Sequence, residues 1–360
     1  MPWLLIQLST GDPPDSKPYF NVSMPEDSNG ALSVDEYSFS ADAGVTIILA
    51  CRDPARGQEA RQKLLLLLDS HIAKLKQGSP EQEYAGSFRR NVKLSVELLN
   101  LASIESVLEF CRTLHRKYVA TSVFNGKNIQ LTTISNLKYE YISHLILNAG
   151  TATFSHLDKV RFIVDLARYP MFGARNPRAN IQVSGVMSQD KLGYVFQCNV
   201  FGHYVLVSTL LRNLVWFGTD IWCHVQYRSL EPLLVAYAND SGISARVLWM
   251  GSLEAAPLFH PDDDWQLTET MHSYQGSKYE VELLSFELDK RALNAQSKVR
   301  TTALDGSDRL RPQIRHIIVS PGVIQTNMSK LLNIKIPGYL WQARVLFGLV
   351  SRITVCHIHD

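Results

Sequence analysis

The sequence predicts an α/β protein built on a doubly wound sheet of parallel strands with helices on both faces. Short β-branched runs alternate with segments of helical apolar spacing, as in chains of repeated strand–helix units. Residues able to do chemistry follow directly after those runs, at the strand ends where open α/β sheets bind their ligands. Size agrees: 360 residues with 46% hydrophobic and 19% charged content can bury a large core, so a globular body is expected.

Trp3 to Leu8 is apolar but lacks preceding basic residues and is too short to span a bilayer, so it reads as a first buried strand rather than a signal peptide. The strands that follow are Thr46 to Cys51, Val92 to Leu98, His144 to Leu147, Arg246 to Met250 and His316 to Ser320. Helices are expected over Gly57 to Leu68, Ile104 to Arg116 and Tyr194 to Leu214. In the last of these Phe196, Val200, Tyr204, Val207, Leu211 and Leu214 recur at steps of three and four and form one apolar stripe for core packing.

Several connections exceed the about two to six residues usual in such units. They are residues 12–43, 117–140, 151–193 and 215–245. Residues 12–43 are rich in Pro, Ser, Asp and Glu and read as a loop where this architecture requires a helix. The composition of 12–43, 117–140 and 215–245 is what retained intervening sequence would give, an expectation that sequencing the transcript tests. The chain therefore divides into an atypical N-terminal segment, 1–43, a single main domain with long insertions, 44–330, and an apolar C-terminal segment, 331–360.

Charge and cysteines narrow the function classes. With 36 basic and 34 acidic residues the net charge is +2, which provides no electrostatic footprint for nucleic acid. Cys51, Cys111, Cys198, Cys223 and Cys356 are odd in number, widely spaced and without a C-x-x-C pair, against a disulfide framework or a zinc site. His357 and His359 beside Cys356 form a terminal tail with no second cluster, so no metal is expected.

Tyr274-Gln275-Gly276-Ser277-Lys278 is the most informative stretch, at the head of a helix continued by Val281, Leu284 and Leu288. Spacing of four sets the phenol and the ammonium on one helical face. Lys278 is expected to lower the Tyr274 pKa from its usual value of about 10, making Tyr274 a usable acid. Such a pair by itself more often lines a solvated helix edge. Its companions in chain order add weight: Asn148-Ala149-Gly150 after the strand ending at Leu147, Asn199 within the long helix, Ser252 after Met250, then Pro321-Gly322 and Thr326 after Ser320. Taken singly, Asn199 would be a helix residue bonded to nearby backbone and Ser252 a turn residue.

In this order the N-A-G, the helical Asn, the Ser, the Y-x-x-x-K and the P-G-x-x-x-T resemble the pattern of the short-chain dehydrogenase/reductases across roughly residues 44–330. The resemblance implies a Rossmann-like sheet and a catalytic tetrad of Asn199, Ser252, Tyr274 and Lys278. Ser252 would hold a substrate carbonyl oxygen, Tyr274 protonate it, Lys278 bind the nicotinamide ribose, and Asn199 position a relay water. The stretches Tyr194 to Tyr204, Leu248 to Ala255, Asp264-Trp265-Gln266-Leu267 and Tyr274 to Tyr279, with the long gap between Ser252 and Tyr274, are similar to the fungal 3-keto sterol reductases. That likeness implies NADPH-dependent reduction of the 3-keto group of a 4-methyl sterol intermediate in ergosterol synthesis. It also implies contact with other sterol-synthesis enzymes and a place on the cytosolic face of the endoplasmic reticulum or on lipid droplets.

Cofactor residues follow partly from position. Arg52 ends the strand Thr46 to Cys51, where a guanidinium can fork onto a 2′-phosphate and favour NADPH; a solvated loop arginine is the plainer reading. By the resemblance, Asn100 would meet the adenine amino group, and Asn148, Ala149, Gly150, Tyr274, Lys278, Pro321, Gly322 and Thr326 would line the rest of the cofactor. The chain departs from the family at Thr10-Gly11, which is followed by Asp12-Pro13-Pro14-Asp15-Ser16-Lys17 in place of a glycine-rich turn. Two prolines remove N–H donors and two carboxylates repel phosphate. A non-catalytic scaffold on the same fold therefore stands as the alternative, beside a reductase of another steroid or lipophilic ketone. At the other end Leu331 to Trp341 and Val345 to Val350, rimmed by Arg344 and Arg352, suit a membrane surface as well as they suit a buried substrate-loop helix.

Overall fold

A computed structural model describes residues 5, 6, 8, 9, 44–115, 118–125, 128–135, 139–168, 179–208, 229–241, 244–302 and 314–321. Contacts divide the chain into two compact units, Met1–Asn100 and Leu101–Asp360. The class is α/β with parallel sheets, as the alternation of runs predicts.

In the first unit β1 (Thr46–Cys51) pairs in parallel with β2 (Lys93–Leu98), Thr46 opposite Lys93 and Cys51 opposite Leu98. Between them run α1 (Pro54–Ile72) and α2 (Pro80–Asn91). Each starts on a capping residue followed by proline: the Asp53 carboxylate accepts from the N–H of Ala55 and Arg56, and Ser79 Oγ accepts from Gln82 N–H. The second helix also carries Glu81 and Glu83 in its first turn and Arg89 and Arg90 in its last, the arrangement its dipole favours. Sequence reading misses α2, because apolar spacing is weak there although the capping chemistry is complete.

Leu5, Leu64, Leu68, Phe88, Val92 and Leu94 form this unit's buried cluster. The described residues of Trp3 to Leu8 do not form the expected strand. Leu5, Ile6 and Leu8 are helical, the Ser9 N–H donates to the carbonyls of Leu5 and Ile6, and Ser9 Oγ donates to Ile6 O at 2.7 Å. A six-residue run with five apolar side chains carries no period that separates a buried strand from a buried helical turn, and Ser9 closes the turn locally.

Helix α1 lies directly on the sheet at Gly57. A Cβ there would fall 2.5 Å from Val96 Cγ1 and 3.2 Å from Cys51 Sγ. Gly57→Val is therefore expected to cost about 1–3 kcal/mol through overpacking, read as a lower urea midpoint with an unchanged slope.

The second unit begins with α3 (Ile104–His115), whose buried stripe is Val107, Leu108, Phe110, Cys111 and Leu114. An antiparallel pair, β3 (Tyr118–Asn125) and β4 (Asn128–Ser135), occupies most of the over-long connection 117–140. Three parallel strands follow in the order β5 (His144–Leu147), β8 (Ala245–Met250), β9 (Ile314–Val319). On the central strand Ala245, Val247 and Trp249 are buried, so one face of this sheet holds the core. The small antiparallel pair β6 (Phe154–Leu157) and β7 (Asn180–Gln182) flanks α4 (Lys159–Arg168) in the chain.

Helix α5 begins at Tyr194–Phe196, widens into a π turn at Gln197–Phe201 and returns to α over Gly202–Val207. It does not run on to Leu214: Ser208 is extended at φ −100 and ψ 128, and Leu230 N–H takes the Leu206 carbonyl at 2.8 Å. Residues 209–214 lie outside the described residues. After α6 (Glu231–Ser241), α7 (Ser273–Thr302) carries the Y-x-x-x-K in its first turns. Among the described residues no helix is long and apolar enough to cross a membrane. The C-terminal segment 331–360 lies outside them.

Candidate active site

Because β5, β8 and β9 run parallel, their C-terminal ends share one edge of the sheet. Asn148-Ala149-Gly150 leaves β5 there, Gly251-Ser252 leaves β8, and Pro321 follows β9. Helix α7 is tied to that edge by Lys278, whose Nζ donates to the carbonyl of Met250, the last residue of β8, at 2.7 Å. The same Nζ lies 5.8 Å from the centroid of the Tyr274 ring. The Ser252 hydroxyl is near enough to the Tyr274 phenol to pull its pKa downward. A Cβ on Gly150 would meet Asn199 Oδ1 at 3.4 Å and Lys278 Nζ at 3.7 Å, so the lack of a side chain at Gly150 keeps space open beside the amine. Asn199, Ser252, Tyr274 and Lys278 are thus brought together.

Burial rather than the ammonium controls the phenol. The Tyr274 pKa is raised above 10.0, first by desolvation, with the Ser252 hydroxyl opposing and Glu254 adding to the rise. This corrects the expectation that Lys278 lowers it. Desolvation acts on the lysine as well and depresses its pKa to about 8. Both groups lose hydration in the same pocket, so each favours its neutral form. A phenol that keeps its proton at neutral pH remains a proton donor; its acid strength is lower than the spacing alone suggested.

Asn199, 1% exposed, sits in the π turn with both amide protons engaged. Its Nδ2 donates to Thr151 O and Ser277 Oγ, each at 2.9 Å, and its Oδ1 accepts from Thr151 N–H at 2.7 Å. The side chain therefore pins the loop after β5 to α7, the backbone-bonding role that a helical Asn commonly takes. One turn later His203 Nε2 bonds to Ala149 O at 2.8 Å, and complete burial holds its pKa near 4, so it is neutral and donates. The N-A-G loop is thus held from one helix at two consecutive places.

Four contributors escape sequence reading. Gln182 Oε1 accepts from Ser273 Oγ at 2.8 Å and from Tyr274 N–H at 2.9 Å, and its Nε2 donates to Gln275 Oε1 at 2.6 Å. Gln275 Nε2 donates to Glu254 Oε2 at 3.2 Å. Phe154 packs its ring against Tyr274 with centroids 6.1 Å apart. Gln182 and Phe154 lie in the stretch 151–193, which has no period to read. Gln275 and Glu254 sit beside the recognised Tyr274 and Ser252, and that adjacency was the signal available.

Glu254 has its pKa raised to about 7 by burial. Its folded value exceeds the ordinary 4.5, so the folded state binds the extra proton between those values and loses stability as pH climbs from about 4.5 to 7. Relative to Glu254→Gln, the wild type is expected to lose unfolding free energy across that window. Urea titrations of both proteins at pH 5 and pH 8 measure the difference; parallel pH dependences would remove Glu254 as its source.

The remaining cofactor candidates separate by unit. Arg52, exposed after β1, and Asn100, half-buried, belong to Met1–Asn100. Asn148, Ala149, Gly150 and Pro321 are exposed in the second unit, while Gly322, Thr326 and the Thr10-Gly11 turn lie outside the described residues. At the nicotinamide end the residues present fit a cofactor: an exposed loop, a glycine that clears space beside a buried amine, and a protonated phenol next to a serine hydroxyl.

No protein-family model matches the chain. It is 32% identical over 151 residues to a 3-keto-steroid reductase of Debaryomyces hansenii, a match covering 42% of this chain and 36% of that protein. It is 33% identical over 147 residues to one of Kluyveromyces lactis, covering 41% and 35%. The matched stretch thus spans little more than a third of the length of these relatives. Among solved structures, a short-chain dehydrogenase/reductase from Burkholderia phymatum in complex with NAD matches at 12% identity and a TM-score of 0.36, over 87% of this chain and 81% of that one. A likeness so loose bears on neither the site nor its cofactor. Over a region of about 150 residues, then, the chain is similar to fungal 3-keto-steroid reductases.

Proposed function

We propose that the protein reduces the 3-keto group of a 4-methyl sterol with NADPH, a step of ergosterol synthesis. The observation that carries this reading is the Tyr274 phenol next to the Ser252 hydroxyl and 5.8 Å, measured at its ring centroid, from the Lys278 amine, at the C-terminal ends of parallel strands. When bound, NADPH supplies a hydride to the carbonyl carbon. The chain's own residues act on the oxygen. The Ser252 hydroxyl and the Tyr274 phenol can both donate to one carbonyl oxygen, and as negative charge builds on it Tyr274 gives up its proton. Lys278, still mostly protonated at neutral pH with its pKa depressed to about 8, faces the space beside Gly150 where a ribose hydroxyl could hydrogen-bond to it. Arg52 supports the preference for a 2′-phosphate.

The replaced glycine-rich turn favours a second reading, a non-catalytic scaffold. Titrating purified protein with NADPH while following its fluorescence, then adding a 3-keto sterol and identifying the 3-hydroxy product by mass spectrometry, separates the two. Saturable binding and product formation support the reductase. No saturable change at millimolar cofactor and no product leave the scaffold.

A membrane surface as the source of substrate belongs to the same proposal, placing the protein on the cytosolic face of the endoplasmic reticulum or on lipid droplets. Helix α4 supports it: Val160, Ile163 and Val164 are 75%, 65% and 40% exposed at helical spacing on one side, and Lys159, Arg161 and Arg168 flank that stripe. Cosedimentation with vesicles containing anionic lipid tests it, with Val160→Asp plus Ile163→Asp expected to release the protein into the supernatant.

A further inference from the structure

We infer that Gln182 is a positioning residue for Tyr274, an assignment that rests on the reductase reading for its effect on turnover. A helix leaves its first N–H groups without partners inside the helix, and a neighbouring Ser, Thr, Asp or Asn in the chain usually supplies the acceptor. At the head of α7 the acceptor arrives from 92 positions away in sequence: Gln182 Oε1 takes the N–H of Tyr274. The same oxygen takes the hydroxyl proton of Ser273, so both of its lone pairs are occupied. Gln182 is 2% exposed, and its backbone is itself held, its N–H donating to Met271 O at 3.1 Å.

The rest of the side chain extends the fixation to Ser252. Gln182 Nε2 donates to Gln275 Oε1, Gln275 Nε2 donates to Glu254 Oε2, and the Glu254 N–H donates to Ser252 Oγ at 3.1 Å. One connected run of polar groups therefore reaches the backbone of the tyrosine and the hydroxyl of the serine. Across the small sheet Phe154 is the register partner of Gln182, and its ring packs on the ring of Tyr274. The β6–β7 pair thus holds Tyr274 twice, by its backbone through Gln182 and by its ring through Phe154. The Gln182 bond to the Tyr274 N–H adds to the ties that Lys278 and Asn199 make one turn further on.

The test compares Gln182→Leu with Gln182→Glu at pH 6. The leucine variant loses every bond of the amide, whereas the glutamate variant keeps an acceptor for Ser273 and Tyr274, at a pH where Glu254 is protonated. In the leucine variant kcat for ketone reduction should fall about 10–100-fold, the scale of an ångström-sized misplacement, with KM for NADPH unchanged. The glutamate variant should retain most of the wild-type kcat. A readout free of activity accompanies these: amide hydrogen exchange of residues 273–278 should quicken in the leucine variant while the later turns of α7 stay protected. If the leucine variant does not fold, as judged by near-UV circular dichroism, the glutamate variant carries the test alone, its kcat and exchange expected near wild type. Unchanged exchange over 273–278 in Gln182→Leu, or a glutamate variant impaired in kcat or exchange, would overturn the positioning role. A wild type without turnover would defeat the reductase reading instead, and the exchange result would still decide whether Gln182 fixes the helix head.

Discussion

Tyr274→Phe is expected to lower kcat for ketone reduction by at least about 10²-fold, the scale of a lost general acid, while NADPH affinity and the unfolding midpoint stay near wild type. The substitution deletes one oxygen. Phe keeps the ring contact with Phe154 and leaves the backbone bond to Gln182 in place, so the packing of the helix head survives. What disappears is the proposed proton source and the hydroxyl next to Ser252. Stopped assays of NADPH oxidation with a 3-keto sterol measure the loss. Turnover within a few per cent of wild type would remove Tyr274 as the acid and move attention to Ser252.

Lys278→Met separates chemistry from stability at the same site. Turnover should fall by at least about 10²-fold, because the amine beside Gly150 is gone and the nicotinamide end of the site loses its only described cation. Stability should change in a pH-dependent way. The folded pKa of about 8 lies below the ordinary 10.5, so between these values the unfolded chain binds the additional proton and wild-type stability rises with pH. At about 1.4 kcal/mol per pKa unit the rise is on the order of 3 kcal/mol. Methionine fills much of the same volume without titrating, so the variant should show no such rise. Urea unfolding of both proteins at pH 8 and pH 10.5 checks this, and equal slopes against pH would contradict a desolvated Lys278.

How much of this could be read beforehand depends on the kind of interaction. Strands β1, β2, β5, β8 and β9 were legible within a residue or two, because β-branched runs bounded by polar residues state themselves locally. Tyr274 and Lys278 were legible through helical spacing, and Ser252 through its place after a strand. The sign of the Tyr274 pKa shift was not, since spacing reports the nearby ammonium and burial is a property of the assembled pocket. Trp3 to Leu8 failed for lack of period, and α2 was missed although Ser79, Pro80 and its charged ends announced it. Gln182 could not be read at all: the partners of its side chain lie more than 90 positions away, and an isolated glutamine in a three-residue strand has no local signature.

Isotope transfer addresses the central claim most directly. Wild-type protein supplied with NADPH deuterated at the transferable position and with a 4-methyl 3-keto sterol should yield a 3-hydroxy sterol carrying one deuterium at C3, with one cofactor oxidised per product. A protein that binds NADPH saturably and folds as described, yet gives no deuterated alcohol from this ketone, would contradict the account.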